Sequence, residues 1–301
     1  MEDHKLKVFC TVAETKSFSK TSQIIHLTQP AVSLQIQALE ELYETKLFDR
    51  SSSSINLTCA GEVLYSYSKN ILAQYAELQK EIGKITGLIK GNITIGASAT
   101  IGNYILPSVV FNFKKAHPKI KMSILIKNTD RVLDLLTSGV IDFGLVEGET
   151  VRSKIKVEPL LTDELAFIVA AAHPIAKKKS VSILEVMKEP FIMREECSGT
   201  RLIIERYLAS HGIRTSDIHI VLVLGGTESI KDAVERGMGI SMISRWAARK
   251  EIQFGTLKYI TIKEDRLLRD FSLIMMKNAV FSHAVEELIS FLRAYTFDNL
   301  L

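Results

Sequence analysis

Residues 17–58 constrain this chain more than any other stretch, because SFSKTSQIIHLTQPAVSLQIQALEELYETKLFDRSSSSINLT reads as a helix, a sharp turn, a second helix and a hairpin-like wing. The second helix is the most explicit part. Thr28 can cap it, and Pro30 falls in its first turn, where a missing backbone N–H costs nothing. Val32, Ile36 and Leu39 then recur at i, i+4 and i+7, a stripe that faces a core. Steps of about 100° per residue place Pro30, Ser33, Leu34, Gln37 and Ala38 on the opposite side. That face is short and uncharged, so it can approach base edges. Gln29 and Gln37 are able to bond adenine, Ser33 several bases, and Leu34 suits a thymine methyl. The helix before it, from Ser19 to His26, buries Ile24 or Ile25 with Leu27 and would cross the DNA backbone.

Charge complicates this picture. Residues 1–60 hold six basic residues (Lys5, Lys7, Lys16, Lys20, Lys46, Arg50) against seven acidic ones (Glu2, Asp3, Glu14, Glu40, Glu41, Glu44, Asp49). Phosphates would therefore be held by hydroxyls, backbone amides, helix N-termini and a few cations, notably Arg50 and Lys20. A shallow salt dependence per domain follows, and with it a need for several domains on one operator. The net charge of +4 arises beyond residue 90, which is better read as attraction for a small anion or as ordinary surface.

The same stretch resembles the N-terminal domain of LysR-type transcriptional regulators, in the order SFSKTSQ, LTQPAVSLQIQALE, LFDR and a wing closing on LTCAG. Relatives carry Arg on the recognition helix and basic residues in the wing, where this chain has Leu34, Gln37 and Ser51–Ser54. With the helix reading, the resemblance implies a DNA-contacting set of Ser19, Lys20, Thr28, Gln29, Pro30, Ser33, Leu34, Gln37, Arg50 and Ser53. A bundle that serves only for dimerisation or protein binding is the plainer interpretation of three packed helices.

Beyond the wing the period changes. Leu64, Tyr67, Ile71, Tyr75, Leu78, Ile82, Ile85 and Ile89 alternate at three and four residues, the seam of a long linker helix. A second copy of the chain would cover it and deliver two recognition helices to a symmetric site. Packing on the chain's own C-terminal part is the alternative. LysR-type relatives dimerise through this helix, which favours the first reading.

After Lys90-Gly91 strand and helix patterns alternate. Strands are expected at Ile93–Ala97, Met122–Ile126, Phe143–Val146, Leu165–Ala171, Phe191–Arg194, His219–Leu224, Ile240–Ile243, Tyr259–Ile262 and Phe271–Met276. Helices are expected at Tyr104–Ala116, Thr129–Ser138, Ile183–Met187, Thr200–Ser210, Glu228–Arg236 and Phe281–Tyr295. Such alternation implies parallel sheets covered by helices. The resemblance extends over the whole chain and implies an α/β fold in three parts. These are a winged helix-turn-helix (1–58), a linker helix (59–90) and an effector domain (91–301) of two lobes resembling type 2 periplasmic binding proteins. Lobe I would be 91–161 with 267–301, and lobe II 162–266.

Ligands of open α/β sheets sit at the carboxyl ends of strands, often on helix N-termini. Four such ends are legible: Ser98-Ala99-Thr100-Ile101-Gly102, Glu147-Gly148, Cys197-Ser198-Gly199-Thr200-Arg201 and Gly225-Gly226-Thr227-Glu228. They nominate Ser98, Thr100, Ile101, Glu147, Ser198, Thr200, Arg201 and Thr227 for a small anionic effector. Glu147 argues that this effector also carries a donor or a positive group. Ser and Thr are equally the ordinary helix caps.

Enzyme chemistry finds little support. Cys197 at a helix start has no His or Asp tied to it by motif, and the seven histidines are scattered. Gly225-Gly226 is not a complete dinucleotide fingerprint. No catalytic residue, metal or cofactor is therefore expected. Three cysteines and no signal peptide suggest a reducing compartment, and no apolar run nears the roughly 18 residues that span a bilayer; a cytoplasmic protein without membrane contact is expected. By the resemblance, it would be a DNA-binding homodimer that associates through its effector lobes into a homotetramer. The reading from another class is a two-lobe binding protein or enzyme whose N-terminal helices only oligomerise it. Alanine at Ser33 and Gln37 separates the two.

Overall fold

Caps and buried stripes set the N-terminal elements. The computed structural model describes residues 2–25, 27–49, 55–86, 89–148, 152–196 and 198–297. In it α1 (Glu2–Thr15), α2 (Phe18–Ile24) and α3 (Gln29–Leu42) share one core. Ser17 caps α2 by accepting from the Lys20 amide at 3.2 Å, and Thr28 caps α3 by accepting from the Ala31 amide at 3.3 Å. Val32, Ile36 and Leu39 are buried among Val8, Phe9, Val12, Leu47 and Phe48. Ile25 and Leu27 pack on the edge of this cluster. α2, the helix expected from Ser19 to His26, begins at Phe18 because the Ser17 cap precedes it, and His26 lies outside the described residues.

β1 (Phe48–Asp49) and β2 (Asn56–Leu57) pair antiparallel as the base of the wing, with Phe48 opposite Leu57. α4 (Cys59–Thr86) follows over 28 residues. It starts hard against the wing: a Cβ at Gly61 would lie 2.2 Å from the Leu47 carbonyl oxygen, so only glycine fits there. Tyr65 and Lys69 of α4 bond Glu14 of α1 at 3.1 and 2.8 Å.

The remainder comprises β3 (Gly91–Ala97), α5 (Leu106–Ala116), β4 (Ile120–Ile126), α6 (Thr129–Thr137), β5 (Phe143–Glu147), β6 (Ile155–Ala170), α7 (Ile183–Val186) and β7 (Phe191–Arg194). Then come α8 (Gly199–Ser210), β8 (Ile220–Leu224), α9 (Thr227–Glu235), β9 (Ser241–Ser244), α10 (Arg245–Phe254), β10 (Leu257–Tyr259), β11 (Leu267–Met276) and α11 (His283–Ala294). One sheet runs β10-β6-β11-β5-β3-β4, with β9 also on β6; β7 and β8 form a pair that a bridge from Phe191 to Ile240 joins to it. Apolar side chains cover both faces at each end. Ile95, Phe143, Phe271 and Leu288 face one way and Val132, Leu136 and Ile274 the other. At the far end Phe167, Phe191 and Met242 oppose Ile168, Ile230 and Ile243.

Four expectations need correction. Parallel ladders join β3 to β4 and β5 and β7 to β8, with single parallel bridges at Val181–Ile262 and Phe191–Ile240, whereas β6 and β11, the longest pairing, run antiparallel. β6 starts at Ile155, ten residues before the expected Leu165, and with β11 it crosses between the two ends. Pro159 disguised its first half; it lies opposite Ser272, where the ladder shifts register beside Phe271, as suits a residue with no N–H. α10 was not anticipated, although Ser244 caps it and Gly255 closes it with φ +77. Finally, the helix expected from Tyr104 opens as a π-helical turn, Ile101–Ile105, in which the Leu106 amide bonds the Ile101 carbonyl. Pro107 follows at once and cannot make an i→i−4 bond.

Candidate DNA-binding face and effector cleft

The outward face of α3 is as uncharged as its sequence implies. Gln29, Pro30 and Gln37 are exposed, Ser33 is half-buried, and Leu34 is 63% exposed. Gln37 donates to Glu41 at 2.8 Å, a contact that a base edge would have to replace. Ser19 and Lys20 are exposed at the start of α2 and Thr28 at the start of α3, so both helix N-termini carry hydroxyls. Arg50 and Ser53 lie outside the described residues.

Glu40 fastens α3 to the wing. Its side chain is buried, accepts from the Leu47 amide at 3.0 Å and pairs with Lys46 at 2.9 Å. Burial disfavours its charge, but the Lys46 ammonium and the Leu47 and Phe48 amides outweigh that and hold the carboxyl below its usual range.

At the middle of the second half, the carboxyl ends of β3 and β5 meet the start of α8 across the crossing strands. Thr100 donates to Glu147 at 3.0 Å. Arg269 of β11 stands between the lobes: its Nη1 donates to Thr200 Oγ1 at 3.1 Å and pairs with Glu147 at 2.5 Å, and its Nη2 reaches Thr100 Oγ1 at 3.4 Å. Its Nε pairs with Asp163 at 2.8 Å, and Asp163 also accepts from Ser244 at 2.7 Å. Asp163 and Arg269 are direct cross-strand neighbours. Burial pushes the Asp163 carboxyl up, against the pull of Arg269 and Ser244. Ser98 is buried in the same loop, and its hydroxyl has no hydrogen-bond partner.

Of the nominated effector residues, Thr100, Glu147 and Thr200 meet in this cluster, with Ser98 nearby. Ser198 is the cap of α8, accepting from the Arg201 amide at 3.4 Å. Arg201 is committed to Glu205 at 2.8 Å, so its charge is already matched. Thr227 starts α9 and accepts from Arg194 at 3.4 Å. Ile101 belongs to the apolar core of lobe I. Cys197 lies outside the described residues. Arg269, Asp163 and Ser244 were missed, although the acidic pair 163–164 and Arg269 flank the crossover positions inferred from the sequence. A second bridge joins the lobes at one side: Tyr104 donates to Glu228 at 2.7 Å, and the buried Lys231 pairs with Glu228 at 3.0 Å and Glu251 at 2.8 Å. Burial and the Glu228 carboxylate push the Tyr104 phenol up.

A capped helix-turn-helix joined by a long helix to two α/β lobes, with a polar cluster between them, defines a ligand-responsive regulator of DNA. Two family models cover nearly all of the chain: the bacterial regulatory helix-turn-helix protein of the lysR family matches residues 4–62, and the LysR substrate binding domain matches 86–296. The HTH-type transcriptional regulator CysL of Bacillus subtilis is 33% identical over 269 residues, 89% of either chain. Among solved structures, an OxyR C206 mutant of Corynebacterium glutamicum has the same fold, with a TM-score of 0.65 at 22% identity, covering 97% of this chain and 91% of that one. The CcmR regulatory domain of Synechocystis PCC6803, in complex with 2-PG, superposes with a TM-score of 0.63 at 26% identity, covering 68% of this chain and 97% of that one. This chain belongs to the LysR family of transcriptional regulators. The alternative of an enzyme that oligomerises through its N-terminal helices is thereby set aside. Among the described residues no helix is long and apolar enough to cross a membrane.

Proposed function

We propose that this regulator reads its operator with α3 and takes a small anionic effector between its lobes, in the cytoplasm. The domains are assigned as 1–58 for DNA, 59–90 for dimerisation and 91–301 for the effector. On DNA, Gln29, Ser33, Leu34 and Gln37 read bases, while Ser19, Lys20, Thr28, Pro30, Arg50 and Ser53 position the backbone. Tyr67, Ile71, Tyr75, Leu78, Ile82 and Ile85 stand exposed along α4, which supports a second copy as its cover. The resulting dimers pair through their effector lobes into a tetramer.

The observation that carries the effector reading is one buried guanidinium, Arg269, bonded to hydroxyls from both lobes. Guanidinium and hydroxyl donors that converge in this way suit a carboxylate or phosphate. Ser98, Thr100 and Thr200 are placed in direct contact with the effector, with Ser198, Arg201, Thr227 and Ile101 shaping the surround. Calorimetric titration of the full-length chain with small carboxylates and phosphates, 2-PG among them, tests this. Binding by one compound that Thr200→Val weakens at least about tenfold fits a lost hydrogen bond to a charged group; binding indifferent to Thr100→Val and Thr200→Val contradicts it. For DNA, Ser33→Ala and Gln37→Ala should each weaken operator binding by about 1–3 kcal/mol and leave effector binding unchanged. Neutral behaviour in mobility shifts would remove α3 from the interface.

A further inference from the structure

The charges between the lobes do not match one to one. Arg269 is a single guanidinium, yet Glu147 and Asp163 lie within 2.5 and 2.8 Å of it, and all three residues are buried. Buried charges are ordinarily paired, and a second like charge adds both desolvation and repulsion. Asp163 is the structural partner. It sits directly opposite Arg269 in the β6–β11 ladder, engages Nε, and turns its other oxygen to the Ser244 hydroxyl.

Glu147 is therefore surplus to neutralisation. It comes from a different strand end and contacts Nη1, the nitrogen that also reaches Thr200. The same oxygen, Oε2, accepts from Thr100. This one carboxylate oxygen thus occupies the point where the guanidinium and a lobe I hydroxyl converge, next to the hydroxyl of lobe II. Donors arranged in this way are a receptor for an oxyanion.

We propose that Glu147 is an internal stand-in for the effector's acidic group: it fills the Arg269–Thr100 seat and is exchanged for a carboxylate or phosphate oxygen when the effector enters. The proposal rests on reading the cleft as the effector site and specifies how that site works. An anion that entered with Glu147 in place would put three negative charges around one guanidinium. Exchange keeps the count of anions at Arg269 unchanged for a monoanionic group. It also gives the ligand a differential contact between two arrangements of the lobes, which any ligand-driven shift requires. Glu147 is the last residue of β5, and Gly148 after it adopts φ +83, so the chain turns away from the sheet at the residue that has to move.

The test uses the full-length chain, with inorganic phosphate and acetate as probes at constant ionic strength and titration calorimetry as the readout. Glu147→Gln keeps the size and an acceptor oxygen but removes the competing charge. It should bind both probes at least about tenfold more tightly than the parent, the scale of one hydrogen bond to a charged group. Adding Thr100→Val to that variant should abolish the gain. Equal or weaker probe binding by Glu147→Gln, including no binding by either protein, overturns the exchange. Failure of the exchange alone is recognised when the parent binds a probe in a Thr100-dependent way and Glu147→Gln brings no gain. A gain that survives both Thr100→Val and Thr200→Val instead overturns the reading of the cleft, and the exchange with it. Should Glu147→Gln not fold, Glu147→Asp keeps the charge but draws it back from Arg269. It should likewise bind the probes more tightly than the parent, and binding no tighter than the parent overturns the proposal.

Discussion

Arg269 has two carboxylates on it, so its removal differs in kind from the loss of a surface ion pair. Arg269→Met would leave Glu147 and Asp163 buried and uncompensated, and breaking such a pair costs about 3–5 kcal/mol. Urea denaturation should show that loss, and most of it should return when Glu147→Gln and Asp163→Asn are added. If the single variant were as stable as the parent, the cluster would not be buried in solution. Glu40 supplies a pH-dependent test. Its carboxyl is held below the usual range, so its contribution is present above its unfolded pKa of about 4.3 and is lost as pH falls through the lower folded value. The stability difference between the parent and Glu40→Gln, measured by thermal melts, should be full near neutrality and shrink below about pH 4. A difference that grew on acidification would have the wrong sign. Neither residue was legible as important beforehand. Glu40 follows the apolar stripe of α3 like any solvent-facing acid, and Arg269 interrupts a strand of otherwise apolar character. Each acquires its meaning from partners outside its own element: for Glu40 the Leu47 amide in the turn after α3, and for Arg269 the distant Asp163 and Glu147.

Elements declared themselves in the sequence where their signals were local. Thr28 and Pro30 announced α3, and the buried stripe Val32, Ile36, Leu39 sits where its spacing put it. β7 matches its expected span, Phe191–Arg194, at both ends. The first half of β6 was hidden because Lys156, Glu158 and Pro159 break the apolar pattern that a crossing strand, covered unevenly along its length, does not need. α10 was hidden by Arg245, Arg249, Lys250 and Glu251 around a small buried face of Trp246, Ala247 and Ala248. The seam of α4 is a different case, since its pattern was plain: Leu64 and Ile89 at its ends pack on the chain's own cores, while Tyr67, Ile71, Tyr75, Leu78, Ile82 and Ile85 stand exposed, the part that a second copy is proposed to cover. Leu78→Glu, at an exposed position of that seam, should convert the dimer to monomers in sedimentation equilibrium without unfolding the lobes. An unchanged mass would mean that α4 is covered in another way.

At the scale of the whole molecule, the lobes are joined by the crossing strands β6 and β11, and side chains bridge them in the Arg269 cluster and at Tyr104 with Glu228 and Lys231. A ligand that reorganises the first of these bridges, the Arg269 cluster, alters how the lobes meet, and each lobe pair is tied through α4 to a recognition helix. The shift can be no larger than the difference in effector affinity between the two arrangements. Footprinting of the full-length protein on the DNA upstream of its own gene, with and without the compound selected by calorimetry, tests this coupling most directly. Occupancy of the cleft should change the length of the footprint or the bend of the operator, and Thr200→Val should need a much higher concentration of the compound for the same change. A compound that binds tightly in the cleft yet leaves footprint and bend as they were would contradict a regulator switched through Arg269.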